Sequence, residues 1–251
     1  MNNPFGLTGK VAIVTGANTG IGQAIAVALA SAGADIAAVG RTPAQETVEK
    51  VRALGRKAEI ISADLSSIEP IQRIVDEALE KLGGLDILVN NAGIIRRADS
   101  VDFTEEDWDA VIDTNLKSLF FLCQAAGRHM IAQGSGKIVN IASLLSFQGG
   151  IRVPSYTASK SGVAGLTKLL ANEWAAKGVN VNAIAPGYIA TNNTAALQAD
   201  ETRNRQIQER IPAGSWGTPA DIGGAAVFLS SSAANYIHGH ILAVDGGWLA
   251  R

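Results

Sequence analysis

The chain has 251 residues, 47% hydrophobic and 18% charged, a composition that excludes a disordered or fibrous protein. Its formal net charge of −2 gives no broad attraction for a phosphate backbone or an anionic bilayer, so neither nucleic acid nor membrane is an expected partner. No stretch reaches the ~18 uninterrupted apolar residues that span a bilayer, and Met1–Lys10 lacks the apolar core of a secretion signal, so the cytoplasm is the expected compartment.

Taken in chain order, VAIVT at 11–15 is the first β-rich run, followed by a glycine turn and an Ala-rich helix near 20–32. DIAAVG at 35–40, a helix near 43–54 and AEIIS at 58–62 continue the alternation. LDILVN at 85–90, KIVNIA at 137–142, VNVNAI at 179–184 and HILAVD at 240–245 complete seven strands, with helical segments over 104–133 and 155–177 among those between them. Most of these runs are continuously apolar instead of alternating, which requires helices on both faces of the sheet. The expectation is an α/β fold: a doubly wound, seven-stranded parallel sheet of Rossmann type, in one domain spanning 1–251. Residues 186–218 break the rhythm with polar residues between Pro and Gly, as a lid beyond a strand end does. Within that stretch Arg203, Arg205 and Arg210 alternate with acidic residues and read as a solvated helix face with no assigned role. Cys123 lies in the apolar run LKSLFFLCQAA, where a buried, inert thiol is expected. His238 and His240 are too few for a metal site, and none is expected.

The turn after the first strand reads Thr15-Gly16-Ala17-Asn18-Thr19-Gly20-Ile21-Gly22 and leads straight into a helix. Glycines there permit a tight turn and close approach of a pyrophosphate, whose charge meets free N–H groups and the positive end of the helix dipole. The spacing is GxxxGxG, not GxGxxG. Asn90-Asn91-Ala92-Gly93 follows the fourth strand, and Tyr156 and Lys160 stand four apart at the start of a helix, on one face.

With these motifs in this order, the chain resembles the short-chain dehydrogenase/reductase family over essentially its whole length. The resemblance implies interconversion of a secondary alcohol and a ketone with a nicotinamide cofactor, on a small-molecule substrate, in a homo-oligomer that is usually a tetramer. It assigns catalysis to Asn115, Ser143, Tyr156 and Lys160. Tyr156 exchanges the proton, Lys160 lowers the phenol pKa, Ser143 bonds the substrate oxygen and Asn115 holds a water that links Lys160 to solvent. The cofactor segments it implies are Gly16, Asn18, Thr19, Gly20, Ile21 and Gly22, then Asp64 with Leu65, then Asn91, Ala92 and Gly93, and finally Pro186, Gly187, Ile189 and Thr191. The apolar helices and the Trp248-Leu249 terminus are the expected subunit contacts.

At the end of the second strand, Val39-Gly40-Arg41-Thr42 has no acidic residue to repel a 2′-phosphate, while Arg41 offers a charged fork. NADP is favoured; NAD remains the alternative if Arg41 is merely solvated or stacks on the adenine. Ile95-Arg96-Arg97, the stretch 146–154 and the C-terminal DGGWLAR also resemble the sugar-acid dehydrogenases within the family. That implies a substrate of the 2-dehydro-3-deoxy-D-gluconate or 2-deoxy-D-gluconate type. Arg96 and Arg152 are the expected carboxylate partners, with Gln148, Asn192, Asn193 and Trp216 around a polyol chain. Reduction of a 3-oxoacyl thioester on a carrier protein and oxidation of gluconate at carbon 5 would use the same catalytic residues, as alternatives. A non-catalytic cofactor-binding protein would need none of them.

Overall fold

The Val- and Ile-rich runs form seven parallel strands in the computed structural model, which describes residues 3–251 apart from the side chain of Asn193. They are β1 (Val11–Thr15), β2 (Asp35–Gly40), β3 (Ala58–Ser62), β4 (Ile87–Asn90), β5 (Gly136–Ile141), β6 (Val179–Pro186) and β7 (Ile241–Val244). Their order across the sheet is β3-β2-β1-β4-β5-β6-β7. The order reverses between β1 and β4, so the loops leaving those two strands part and open a crevice at their carboxyl ends.

Helices cover both faces, as the apolar strands require. On one side α1 (Gly20–Ser31), α2 (Gln45–Ala53) and α9 (Pro219–Ser230) bury Ile25, Leu29, Val48 and Ile222 against the sheet. On the other, α3 (Ile71–Leu82), α5 (Ser118–Gln133) and α6 (Pro154–Trp174) bury Ile74, Leu122, Leu170 and Trp174. All eight residues of β6 are buried, including Asn180 and Asn182. Asn182 is satisfied by donating to the Ile237 carbonyl at 2.8 Å and accepting from His240 N–H at 2.9 Å, which pins the edge strand β7 to the sheet. Cys123 is fully buried in the core, as expected, and burial pushes its thiol up to about 12.

Two features depart from the simple pattern. The apolar segment 104–133 is not one helix: α4 (Glu105–Ile112), capped by Thr104, passes through a π-helical turn at Asp113–Lys117 before α5 begins. A π turn inserts an extra residue per turn and redirects the side chain it carries, here Asn115. The irregular segment after β6 forms a short turn at Asn192–Thr194, then α7 (Ala195–Ala199) and α8 (Glu201–Arg210). α8 buries Ile207, which joins Ile211, Leu144 and Trp248 in a small separate cluster. Trp248 is therefore packed within its own chain, only 4% exposed, while Leu249 beside it stays partly exposed. Among the described residues no helix is long and apolar enough to cross a membrane.

Candidate active site

The crevice is tied together at its base. Thr15 Oγ1 accepts from the N–H groups of Asn91 and Ala92 at 3.0 and 2.9 Å, while Asn91 Nδ2 donates to the carbonyls of Thr15 and Gly16 at 2.9 and 3.2 Å. Gly16 has φ 63°, and a Cβ on Gly22 would lie 2.1 Å from the Gly16 carbonyl oxygen, so this turn closes only with glycine at both positions. The N-terminus of α1 that it presents is uncapped: Thr19 makes no capping hydrogen bond and the first turn holds no acidic side chain. Its free N–H groups and dipole face a cavity of about 330 Å³. The wall includes Gly16, Asn18, Thr19, Gly20, Ile21, Gly22, Asn91, Ala92, Gly93, Pro186, Gly187, Ile189 and Thr191, bringing three expected segments together.

Asp64, Leu65 and Arg41 lie beyond that wall. Leu65 is buried, and its carbonyl accepts from Ser118 Oγ at 2.7 Å. Asp64 is held below the usual carboxylate range by Ser66, through its backbone N–H and hydroxyl, and more weakly by Arg41. The Arg41 guanidinium is 3.8 Å from Asp64 and its side chain is 81% exposed, so the pair leaves most of the fork free.

At the far end of the cavity, β5 and α6 bring Ser143, Tyr156 and Lys160 to one wall. Pro154 at the first turn of α6 sets the helix start two residues before Tyr156. Lys160 is 4% exposed; its Nζ donates to the Ile141 carbonyl at 2.6 Å and lies 5.6 Å from the Tyr156 ring centroid. Burial alone lowers its pKa from 10.5 to about 8. Burial also raises the Tyr156 phenol, opposed by the Ser143 hydroxyl and by the charge of Arg97. Asn115, fully buried, lies behind the wall: its Oδ1 accepts from Ile94 N–H at 2.8 Å and its Nδ2 donates to the Ile94 carbonyl at 2.9 Å and to Ser159 Oγ at 3.4 Å. Ser159 in turn donates to the Tyr156 carbonyl at 2.8 Å, so the π turn is linked to the helix that carries the tyrosine.

A second cavity of about 510 Å³ shares Ile95, Arg97, Ser143, Tyr156, Pro186, Gly187 and Thr194 with the first and extends from them under α7 and α8. Leu197, Gln206 and Ile207 from those helices form its roof, with Arg203 and Arg210 beside them.

The family model described as enoyl-(acyl carrier protein) reductase matches residues 16–249. This chain belongs to the short-chain dehydrogenase/reductase family. It is 60% identical to the 2-dehydro-3-deoxy-D-gluconate 5-dehydrogenase of Escherichia coli over 98% of each chain. Identity to the enzyme of that name from Bacillus subtilis is 58%, over 100% of this chain and 99% of the other. Among solved structures, an Agrobacterium tumefaciens protein with bound NADP is 63% identical with a TM-score of 0.92, covering 100% of both chains. A gluconate 5-dehydrogenase from Burkholderia cenocepacia in complex with NADP and tartrate is 38% identical with a TM-score of 0.94, covering 99% and 98%.

Within this short-chain dehydrogenase the expected substrate residues divide. Gln148 lines the second cavity and Asn192 the first. Asn193 falls outside the described residues, since its side chain is not described. Arg96 and Arg152 are on neither wall: Arg96 Nε is 3.0 Å from Asp107 and Arg152 Nε 3.0 Å from Asp99. Trp216 also stands outside, donating to Asn204 Oδ1 at 2.8 Å and packing edge-on against Tyr188. Instead of Arg96, its neighbour Arg97 lines both cavities, because adjacent side chains of a non-helical segment turn to opposite sides. Arg203, Arg205 and Arg210 are all exposed, as a solvated helix face requires, and Arg203 and Arg210 also edge the second cavity, while Arg205 is 3.9 Å from Glu209. Proximity to the NNAG turn does not tell which of the two adjacent arginines faces the cavities, and the α8 residues had no local signal to separate cavity rim from open surface.

The buried ammonium of Lys160 has a measurable signature. A fall from 10.5 to about 8 means that burying the charged form costs on the order of 3 kcal/mol. Below about pH 8 the lysine is charged in both folded and unfolded chains and the cost is complete. Between about 8 and 10.5 the folded chain releases its proton first, so stability rises with pH. Urea unfolding of the cofactor-free protein should therefore show wild type gaining on Lys160→Met between about pH 7 and pH 9.5. A difference that stays flat over that range would mean the ammonium is not desolvated.

Proposed function

We propose that this chain is an NADP-dependent oxidoreductase that interconverts a secondary alcohol and a ketone on a sugar acid of the 2-dehydro-3-deoxy-D-gluconate type. The observation that carries the reading is that Ser143 and Tyr156 stand where the two cavities meet, with Lys160 beside them on the first, one cavity suited to a dinucleotide and the other to a small substrate. The uncapped α1 N-terminus and the glycine turn that a Cβ would block fit a pyrophosphate. Bound there, the nicotinamide cofactor supplies or takes up the hydride. The identities to dehydrogenases acting on 2-dehydro-3-deoxy-D-gluconate support the substrate class.

On this reading Tyr156 gives the proton to the ketone oxygen and takes it back in the alcohol direction. Ser143 donates a hydrogen bond to that oxygen as its charge changes. The Ser143 hydrogen bond and the charge of Arg97 oppose the rise that burial causes in the phenol, and Lys160 places a cation 5.6 Å from its ring centroid. Asn115 positions the Ile94 backbone and, through Ser159, the start of α6.

Tyr156→Phe keeps the ring and removes the proton, so turnover should fall by about 10²–10⁴-fold while NADP binding, followed by fluorescence titration, persists. Retention of more than about a tenth of the activity would remove Tyr156 from the proton-transfer role. In the wild type, alcohol oxidation should rise with pH and ketone reduction should fall, because the first needs phenolate and the second phenol.

Arg41 is proposed to read the 2′-phosphate. Gly40 leaves the position open, its nearest neighbour for an added Cβ being the Thr42 carbonyl at 3.5 Å, and Arg41 is loosely held. A hydrogen bond to a charged group is worth roughly 1.5–3 kcal/mol, so Arg41→Ala should lower kcat/KM for NADP by about 10–150-fold and change NAD use much less. Equal losses with both cofactors would leave Arg41 without this role.

A homotetramer is also proposed, in line with the family. Val101, Trp108 and Leu169, exposed at 92%, 41% and 46%, leave apolar surface uncovered around α4 and α6. Sedimentation at micromolar concentration is expected to give the mass of four chains, and a stable monomer would overturn the assembly.

A further inference from the structure

The larger cavity carries an unbalanced charge. Arg97, Arg203 and Arg210 are on its wall, and no Asp or Glu is. Nearby arginines that face outward are all neutralised: Arg96 by Asp107, Arg152 by Asp99 and Arg205 by Glu209. Among the described residues the three cavity arginines have no carboxylate within ion-pair distance. All three are exposed, and like charges gathered around one open cleft repel one another, an arrangement that an anion completes.

The three arginines occupy different depths. Arg97 lines both cavities and acts on the Tyr156 phenol, which places it at the reacting end. Arg203 and Arg210 line only the larger cavity, on α8. The Arg210 guanidinium lies 4.0 Å over the Trp248 ring, so its plane is fixed while its N–H edge stays free for a planar acceptor. Arg203 is bound only to its helix neighbour Gln206, at 3.2 Å, and is free to turn. Ile207 and Ile211, 3% and 4% exposed, anchor that helix beside the cleft.

We propose that Arg210, assisted by Arg203, binds the substrate carboxylate, and that this contact from the α8 wall selects a sugar acid over an uncharged sugar. The proposal rests on the sugar-acid reading above and extends it to named residues. A sugar acid oxidised several carbons from its carboxylate puts its charge away from the phenol, at the wall where these two arginines stand. The Arg210 edge matches a carboxylate through two parallel N–H···O bonds.

The test compares 2-dehydro-3-deoxy-D-gluconate with its uncharged carboxamide, using the full-length enzyme and NADP. The quantity read is the acid-over-amide ratio of kcat/KM. Arg210→Gln should lower that ratio by about 10–150-fold, from the roughly 1.5–3 kcal/mol of a charge-assisted hydrogen bond. Arg203→Gln disturbs no packing and should lower it by a smaller factor, which keeps the test open if loss of the Trp248 stack harms folding. Arg96→Gln should leave the ratio at its wild-type value. An unchanged ratio in both α8 variants, or a collapse in Arg96→Gln instead, would overturn the assignment. A wild-type enzyme that reduces or oxidises neutral substrates but not the acid would overturn the substrate reading itself, a result distinct from either of these.

Discussion

Thr15 and Asn91 hold the crevice of this protein in register. The sheet order reverses between β1 and β4, so the loops leaving these strands have no backbone ladder to join them beyond the strand ends. One hydroxyl accepting two N–H groups, and one carboxamide donating to two carbonyls, replace that ladder. The glycine turn then rests on the Asn91 side chain, and the N-terminus of α1 is left aimed into the cavity. The first cavity opens from this junction, lined by Gly16, Asn91 and Ala92.

The wall that carries Tyr156 and Lys160 buries groups that water would otherwise solvate. Lys160 is held under the sheet ends by a single carbonyl, with its pKa lowered to about 8, and Tyr156 is pushed the opposite way by the same burial. For the phenol, desolvation outweighs the Ser143 hydrogen bond and the Arg97 charge that act against it. The scaffold behind this wall is polar inside: Asn115 donates both Nδ2 hydrogens, to the Ile94 carbonyl and Ser159 Oγ, and its Oδ1 accepts from Ile94 N–H. The π turn is the backbone solution that brings the carboxamide there.

The cleft above shows the opposite logic. Only Ile207 of α8 is buried, so the helix is joined to the body through a small apolar cluster and not through the main core. Such an element opens at low cost in local stability, which suits a wall that must admit substrate. Its charges are meaningful only in place, because the alternation of acids and bases along 200–210 looks the same on a solvated helix.

Continuous apolar runs and the glycine turn leading into a helix were enough to give the seven-stranded parallel sheet, because each is a local pattern with one compatible backbone, and the helix start that carries Tyr156 and Lys160 was legible in the same way. Strand ends shifted by a residue or two, as ladder pairing and not apolarity sets them. What the sequence did not contain was direction. Whether Arg96 or Arg97 turns inward, whether Trp248 meets another subunit or its own chain, and which α8 arginines line the cleft depend on contacts between residues far apart in the chain. Local pattern fixes which backbone a segment adopts, whereas the direction of a long charged side chain is chosen by the carboxylate or ring that tertiary packing brings within reach.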